Sequence, residues 1–255
     1  MKNNHYRLIF VFLCMFLFLS ELISYEKADT ILKVNAVFSY SNNSNTSDWK
    51  AMSYDLNYLS YQNYGFFMRY ENAQRFYKND NSFALGFSKY KSRGDLDIGF
   101  LYTNTPKSDF LQKQGYQMEV NKKINSVVFN SVFRKSIYAH SRVNQFKLGF
   151  DYYPKSAFWY LIRGNMDLDK TNYAYSQQIG LNYYTESFAL FNNIAFGNEI
   201  NTDSFFNKRL SFYNLSSRIQ LSHNSNYKIN VLLSYYKNEQ NQRRFENGLG
   251  IEFNY

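Results

Sequence analysis

The last nine residues, 247–255, read NGLGIEFNY. Leu249, Ile251, Phe253 and Tyr255 are large and apolar or aromatic, whereas Gly248, Gly250, Glu252 and Asn254 between them are small or polar. Chain ends are ordinarily polar and frayed. A two-residue period carried to the last residue instead marks a strand whose two faces meet different surroundings.

The same period recurs upstream. LKVNAVFSY alternates on Leu32, Val34, Ala36, Phe38 and Tyr40, and MSYDLNY on Met52, Tyr54, Leu56 and Tyr58. LDIGFLY places Leu96, Ile98, Phe100 and Tyr102 on one face and Asp95 and Asp97 on the other. NQFKLGFDY sets Phe146, Leu148, Phe150 and Tyr152 against Lys147 and Asp151. SFYNLSSRIQL and KINVLLSY continue the pattern. About fourteen such segments can be drawn, each of about 9–11 residues, the length that crosses a bilayer when tilted. The segments around 124–135 and 187–198 alternate poorly, and their register is soft. No stretch holds the 3-4-7 spacing of an amphipathic helix.

Composition agrees with one greasy and one wet face per strand. The 255 residues include 25 Tyr and 25 Phe but only 11 Gly, 2 Pro and 1 Cys. Mean hydropathy is nonetheless −0.52. The apolar load is therefore aromatic, and the remainder is rich in Asn, Ser, Lys and Gln.

The N-terminus differs from the rest. MKNNHYR supplies Lys2 and Arg7, Leu8–Leu19 is continuously apolar, and SELISYEKA turns polar again. This is the order of a secretory signal peptide. The apolar run is about 12 residues, against about 20 for a spanning helix, so a retained anchor is the rival. Two regions are expected: a signal peptide over 1–24 and one domain over 25–255. Cys14 leaves with the signal peptide, so thiol nucleophiles and thiolate metal sites are excluded from the mature chain.

Connection lengths carry a separate signal. With the first strand running outward, the odd-numbered connections, most of them longer, are SNNSNTSD, YKND, TNTPKSDFLQKQ, KSIYAHS, DLDKTNYA, NEINTDSFFNK and KNEQNQRR. The even-numbered ones are SYQNY, KSRG, NKKIN, YPKS, TES and SHNSN. Long loops at one end and tight turns at the other fit a barrel crossing the bacterial outer membrane. A soluble sandwich or lipocalin-like barrel explains the alternation but not this asymmetry. Tyrosines near strand ends suit the membrane–water boundary. The expected fold is all-β: a transmembrane antiparallel up-and-down barrel of about fourteen strands, with twelve as the alternative count.

With the apolar face toward lipid, the charges between point into the lumen. The candidates are Arg69, Glu71, Asp95, Asp97, Glu119, Lys147, Asp151, Arg163, Arg218 and Glu252. They read either as the lining of a pore for small polar or glycan-related solutes or as paired charges filling a structural or adhesive barrel. The mixture of signs favours the second, since a strongly selective pore leans to one sign.

Catalysis finds little support. His5 lies in the signal peptide. His140 sits beside Ser141 in a loop, and His223 with Ser225 in SHNSN falls in a turn. The latter superficially resembles the His–Ser pair of lipid-modifying barrels, but His-Asn-Ser-Asn is also ordinary turn chemistry. A serine needs a base in reach and a third group to orient it, and no such trio is evident. Neither a metal site nor a cofactor is expected. The net charge of +9 is dispersed along the chain, without a nucleic-acid motif. The expected partners are the lipid bilayer, the outer-membrane insertion machinery and, through Lys208, Arg209, Arg243 and Arg244, lipopolysaccharide.

The order of features resembles the YaiO family of outer-membrane β-barrel proteins. YGFFMRYENAQRF (Tyr64–Phe76) is similar to an early strand with an inward arginine, and GFDYYPKSAFWYLIRGN (Gly149–Asn165) to a hairpin of Gly, aromatics and Trp ending on Arg163. NIAFGNEINTDS then resembles a Gly-containing strand leading into a polar loop. The resemblance implies a membrane barrel and no settled activity. It gives Ile251, Phe253 and Tyr255 the role of a C-terminal insertion signal, with Tyr where the family more often has Phe. The expected location is the bacterial outer membrane, after Sec-type export and signal removal.

Overall fold

The computed structural model describes residues 30–43, 48–60, 64–75, 77–90, 96–154, 157–169, 172–201, 208–222 and 227–254. The signal peptide expected over 1–24, and Asp95, His223 and Tyr255, lie outside the described residues. Fourteen strands follow in chain order: β1 (Thr30–Asn43), β2 (Trp49–Ser60), β3 (Tyr64–Arg75), β4 (Lys78–Tyr90), β5 (Leu96–Asn104), β6 (Gln114–Ile124) and β7 (Val127–Ile137). They continue as β8 (Arg142–Tyr152), β9 (Phe158–Leu168), β10 (Tyr173–Tyr184), β11 (Phe188–Asn201), β12 (Lys208–Ser222), β13 (Tyr227–Asn238) and β14 (Arg243–Asn254). Each pairs antiparallel with its chain neighbours, and β1 closes on β14. Fourteen, not twelve, is the strand count. Strands ~4.8 Å apart and tilted ~40° close at this number into a ring roughly 27 Å across its backbone.

The two faces separate as the alternation predicts. Phe38, Leu85, Phe87, Phe100, Leu148 and Leu249 point outward at 48–65% exposure. A surface this apolar is stable only against hydrocarbon, so the strands span a membrane. Aromatic pairs ring the outside near both ends. At the end holding the connections after odd-numbered strands, the loop end, Tyr70 packs on Phe83 at 5.1 Å, Tyr102 on Tyr116 at 5.3 Å and Tyr235 on Phe245 at 4.8 Å. At the opposite, turn end, Tyr152 lies 6.4 Å from Tyr160 and Phe158 lies 5.0 Å from Tyr183. Rings with a polar edge are favoured at both boundaries of the apolar band.

The strands with soft register differ from a simple alternation for a visible reason. In β7, Ser131 faces outward opposite Leu148, while Val132 faces inward opposite Lys147. In β11, Asn192 faces outward and hydrogen-bonds Ser217 at 2.9 Å, while Phe191 faces inward opposite Arg218. Both strands swap a polar and an apolar residue between faces, which cancels the local periodicity but not the ladder.

Connections at the loop end are shorter than the sequence suggests. Those at the loop end run over 44–48, 76–77, 105–113, 138–141, 169–172, 202–207 and 239–242, and those at the turn end over 61–63, 91–95, 125–126, 153–157, 185–187 and 223–226. The expected asymmetry survives mainly in 105–113, because pairing continues into polar segments that alternation alone assigns to loops. Asn238 organises one tight turn: its Oδ1 accepts the N–H groups of Gln240 and Gln242, both at 3.1 Å, and Asn241 takes a φ of +57°, which Asn tolerates.

Inward glycines make room for long polar side chains. A Cβ on Gly149 would meet Arg163 Cγ at 2.5 Å and the Ile162 carbonyl oxygen at 2.6 Å. Gly149→Val is therefore expected to cost about 1–3 kcal/mol, read as a lower urea midpoint, and to push Arg163 away from Asp151.

Candidate functional site: the lumen and its folded-in loop

The inner face carries most of the buried polar groups. Asp55 lies opposite Arg69 across β2 and β3, and the guanidinium donates to both carboxylate oxygens at 2.7 and 2.9 Å. Across β8 and β9, Arg163 Nη2 reaches both oxygens of Asp151 at 3.3 and 3.2 Å. Glu252 of β14 lies 3.9 Å from Lys33 of β1 and 3.7 Å from Lys228 of β13, spanning the seam that closes the barrel. Asp167 accepts from Gln145 at 2.8 Å and from Asn165 at 3.2 Å. A carboxylate this enclosed is held by its donors, and removing one of them strands a buried charge.

The connection between β5 and β6 bends into the barrel. Asp80, on the inner face of β4, is 0% exposed. Its carboxylate accepts the backbone N–H groups of Asp109 and Phe110 at 2.9 Å and of Leu111 at 2.7 Å. The far limb is fixed to β7: the Ser136 hydroxyl donates to Gln112 Oε1 at 2.7 Å, and Arg134 Nη2 to the same oxygen at 3.3 Å. Gly115 permits that docking, since a Cβ there would meet Gln112 Nε2 at 2.7 Å. The loop is thus tied at its tip to β4 and on its far limb to β7, the strands that flank its own β5 and β6.

Between this loop and the opposite wall lies a cavity of about 760 Å³. Its lining includes Phe110, Leu111 and Gln112 of the loop and Trp49, Arg69 and Glu71 of the wall. Arg75 stacks on the Trp49 ring at 3.7 Å, and Arg244 lies 5.1 Å from the same ring. The turn end of the lumen carries a second aromatic group. Tyr153 stacks on Trp159 at 5.2 Å, Trp159 meets Phe191 edge-on at 6.2 Å, and Arg218 lies over Phe191 at 4.0 Å.

The positions singled out from sequence fall as follows. Arg69 and Glu71 face the cavity at the loop end. Asp97, Glu119, Lys147, Asp151, Arg163, Arg218 and Glu252 lie on the inner face of their strands, opposite the exposed apolar row. Ile251 and Phe253 face outward at 39% and 42% exposure. Arg244 departs from expectation: it lies in strand β14, not in a surface loop, and its guanidinium points inward over Trp49 and Tyr236. Arg209 lies over Tyr173 at 5.5 Å on the outer rim, and Arg243 is exposed. Asp55, Asp80, Gln112, Arg134 and Trp49 carry much of the lumen's architecture and were not singled out. For Asp55 the signal was present, since it alternates against Met52, Tyr54 and Leu56.

His140 is exposed in the turn between β7 and β8, which the Tyr138 N–H closes by donating to the Ser141 carbonyl at 2.9 Å. Among the described residues no group of three His, Cys, Asp or Glu side chains could hold a metal ion.

No protein-family model and no curated protein matches the chain. Solved structures do. Outer membrane protein Omp33 of Acinetobacter baumannii shares 9% identity at a TM-score of 0.56, with 90% of this chain and 100% of that one covered. The monoaromatic hydrocarbon channel CymD shares 7% at 0.58, covering 90% of this chain and 89% of that one. A BenF-like porin from Pseudomonas fluorescens shares 8% at 0.50, covering 90% and 98%. At these identities the likeness is one of fold: a closed antiparallel barrel, here of fourteen strands.

Proposed function

We propose that the protein is a channel of the bacterial outer membrane for small polar solutes, narrowed by its own loop 105–113. The observation that carries this reading is the cavity of about 760 Å³ inside the barrel, bounded by a loop tied to the walls beside its own strands. Barrels of about eight strands are filled by their own side chains, and those of 16–18 strands leave an aqueous passage. Fourteen strands enclose more width than inward Gly, Ser and Ala positions fill, so a constricted passage is the natural state. The similar barrels described as a channel and a porin support the same role.

Under this reading the inward charges line the passage, and their mixed signs make it polar without strong preference for one ion sign. Kinship with the YaiO family is the finer proposal. Its support is that both inward arginines in the similar stretches, Arg69 and Arg163, bind an aspartate of the preceding strand. Export by an N-terminal signal peptide and contact of Arg209 and Arg243 with lipopolysaccharide belong to the same proposal. No lipid- or peptide-cleaving activity is proposed.

A second reading, a closed structural barrel, draws on the ion pairs Arg69–Asp55, Arg163–Asp151 and Lys228–Glu252. Planar-bilayer recording separates the two. The channel reading expects discrete conductance steps from the purified barrel. Folded protein that inserts without unit conductance would overturn it in favour of the closed barrel.

A further inference from the structure

One inner row at the loop end is used neither by the folded-in loop nor by the ion pairs. Register sets Glu246 of β14 opposite Ser41 of β1, and Ser41 opposite Trp49 of β2. Arg244 lies two residues before Glu246 on the same face, over the Trp49 ring at 5.1 Å and the Tyr236 ring at 5.0 Å. All of Ser41, Trp49, Arg244 and Glu246 line the cavity. Nε1 of Trp49 and Oγ of Ser41 are buried with no hydrogen-bond partner. Among the described residues Arg244 forms no ion pair with a carboxylate, and Glu246 none with a cation.

We propose that this row is a binding subsite for zwitterionic solutes, the class of α-amino acids and short peptides. Stacking on two aromatic rings holds the Arg244 guanidinium away from Glu246. Residues two apart on a strand stand about 7 Å from each other, which leaves a cation and an anion side by side with no ion pair between them. A solute carboxylate accepts from Arg244 and from the indole N–H of Trp49, whose buried donor otherwise has no acceptor. The solute ammonium donates to Glu246, and the Ser41 hydroxyl serves either end. An anion alone would face Glu246, and a cation alone would face Arg244 and Arg75. Only a solute carrying both charges satisfies both walls. The subsite deepens the channel reading and rests on it, since it places the solute on the way through the lumen.

The test uses Trp49 as its own reporter. The chain has two tryptophans, so Trp159→Phe leaves one, and stacking on Tyr153 is kept. Folded full-length W159F barrel in detergent is titrated with glycylglycine, with acetate and with ethylammonium chloride, at equal ionic strength. The expected result is a saturable change in Trp49 emission with glycylglycine and an affinity at least about tenfold lower for either single-charge probe. Arg244→Gln and Glu246→Gln should each weaken glycylglycine about tenfold, and Arg244→Lys should restore part of the loss. Folding of each variant is checked by heat-modifiable migration. Absence of a saturable response in folded protein would overturn the proposal. So would acetate binding as well as glycylglycine, or a neutral effect of Glu246→Gln, each of which denotes a plain anion site. Because the readout is binding, a conducting barrel without it loses the subsite alone, and a binding barrel without conductance loses the channel alone.

Discussion

Removing residues 253–255 is expected to abolish assembly of the barrel. Strand β14 is paired on both sides: Phe253 lies opposite Val34 of β1 and Tyr227 of β13, and Asn254 lies opposite Lys33. Truncation uncovers backbone groups of both neighbours at the place where the ring closes. In hydrocarbon, where no water is present to bond them, each such group costs several kcal/mol. The same cut deletes the outward ring of Phe253, 42% exposed, from the apolar band. Glu252 and its contacts to Lys33 and Lys228 remain, so the loss would belong to the seam and not to the ion pair. Total stabilities of folded domains are only about 5–15 kcal/mol, so the combined loss is of the order of the whole. Heat-modifiable migration and protease resistance in lipid vesicles read the outcome. A truncated chain that inserts and resists protease as the intact chain does would refute the role given to this strand end.

The barrel was legible in the sequence because its signal is local. Leu249, Ile251 and Phe253 face outward, as the two-residue period requires, and Gly248, Gly250 and Glu252 face inward. The same arithmetic placed Arg69, Asp97, Lys147 and Arg218 on one face. It weakened where a strand carries a polar residue outward, as at Ser131 and Asn192, or an apolar one inward, as at Val132 and Phe191. What alternation could not supply is which inward groups meet. Arg69 finds Asp55 because β2 and β3 are in register, and that register is set by backbone pairing and turn length. Arg244 looked like part of a polar loop, because the residues before Phe245 offer no apolar partner. The ladder nonetheless runs on to Arg243, since backbone pairing at the rim does not depend on apolar side chains. The folded-in loop was the least legible of all. Its anchor, Asp80, reads as a turn residue in YKND, and its bonds to Asp109, Phe110 and Leu111 span 29–31 residues. No short-range pattern encodes a contact of that separation.

That loop carries the second large prediction. Asp80→Ala is expected to release the tip of loop 105–113 from the wall and to raise the unit conductance of the channel. The wild-type carboxylate accepts three backbone N–H groups at 2.7–2.9 Å while fully buried. Hydrogen bonds to a charged group contribute about 1.5–3 kcal/mol each, so the tip is held by several kcal/mol and leaves its dock rarely. Alanine removes both acceptor oxygens, and with them all three hydrogen bonds, at once. The freed N–H groups then regain partners only by turning toward water in the lumen, which favours the undocked loop. Gln112 still binds Ser136 at 2.7 Å, so the loop pivots on its β7 side instead of leaving the barrel. Asp80→Asn is the graded case. Its amide keeps one acceptor oxygen but presents N–H groups to donors, so it should fall between wild type and alanine. The strands themselves do not lose a pairing in either variant, and heat-modifiable migration should be unchanged. Conductance rising in the order wild type, Asp80→Asn, Asp80→Ala, with noisier open levels in the same order, would identify the loop as the constriction. Folded variants with wild-type conductance would show that the narrowest point lies elsewhere, with the Tyr153–Trp159–Phe191 group at the turn end next in line.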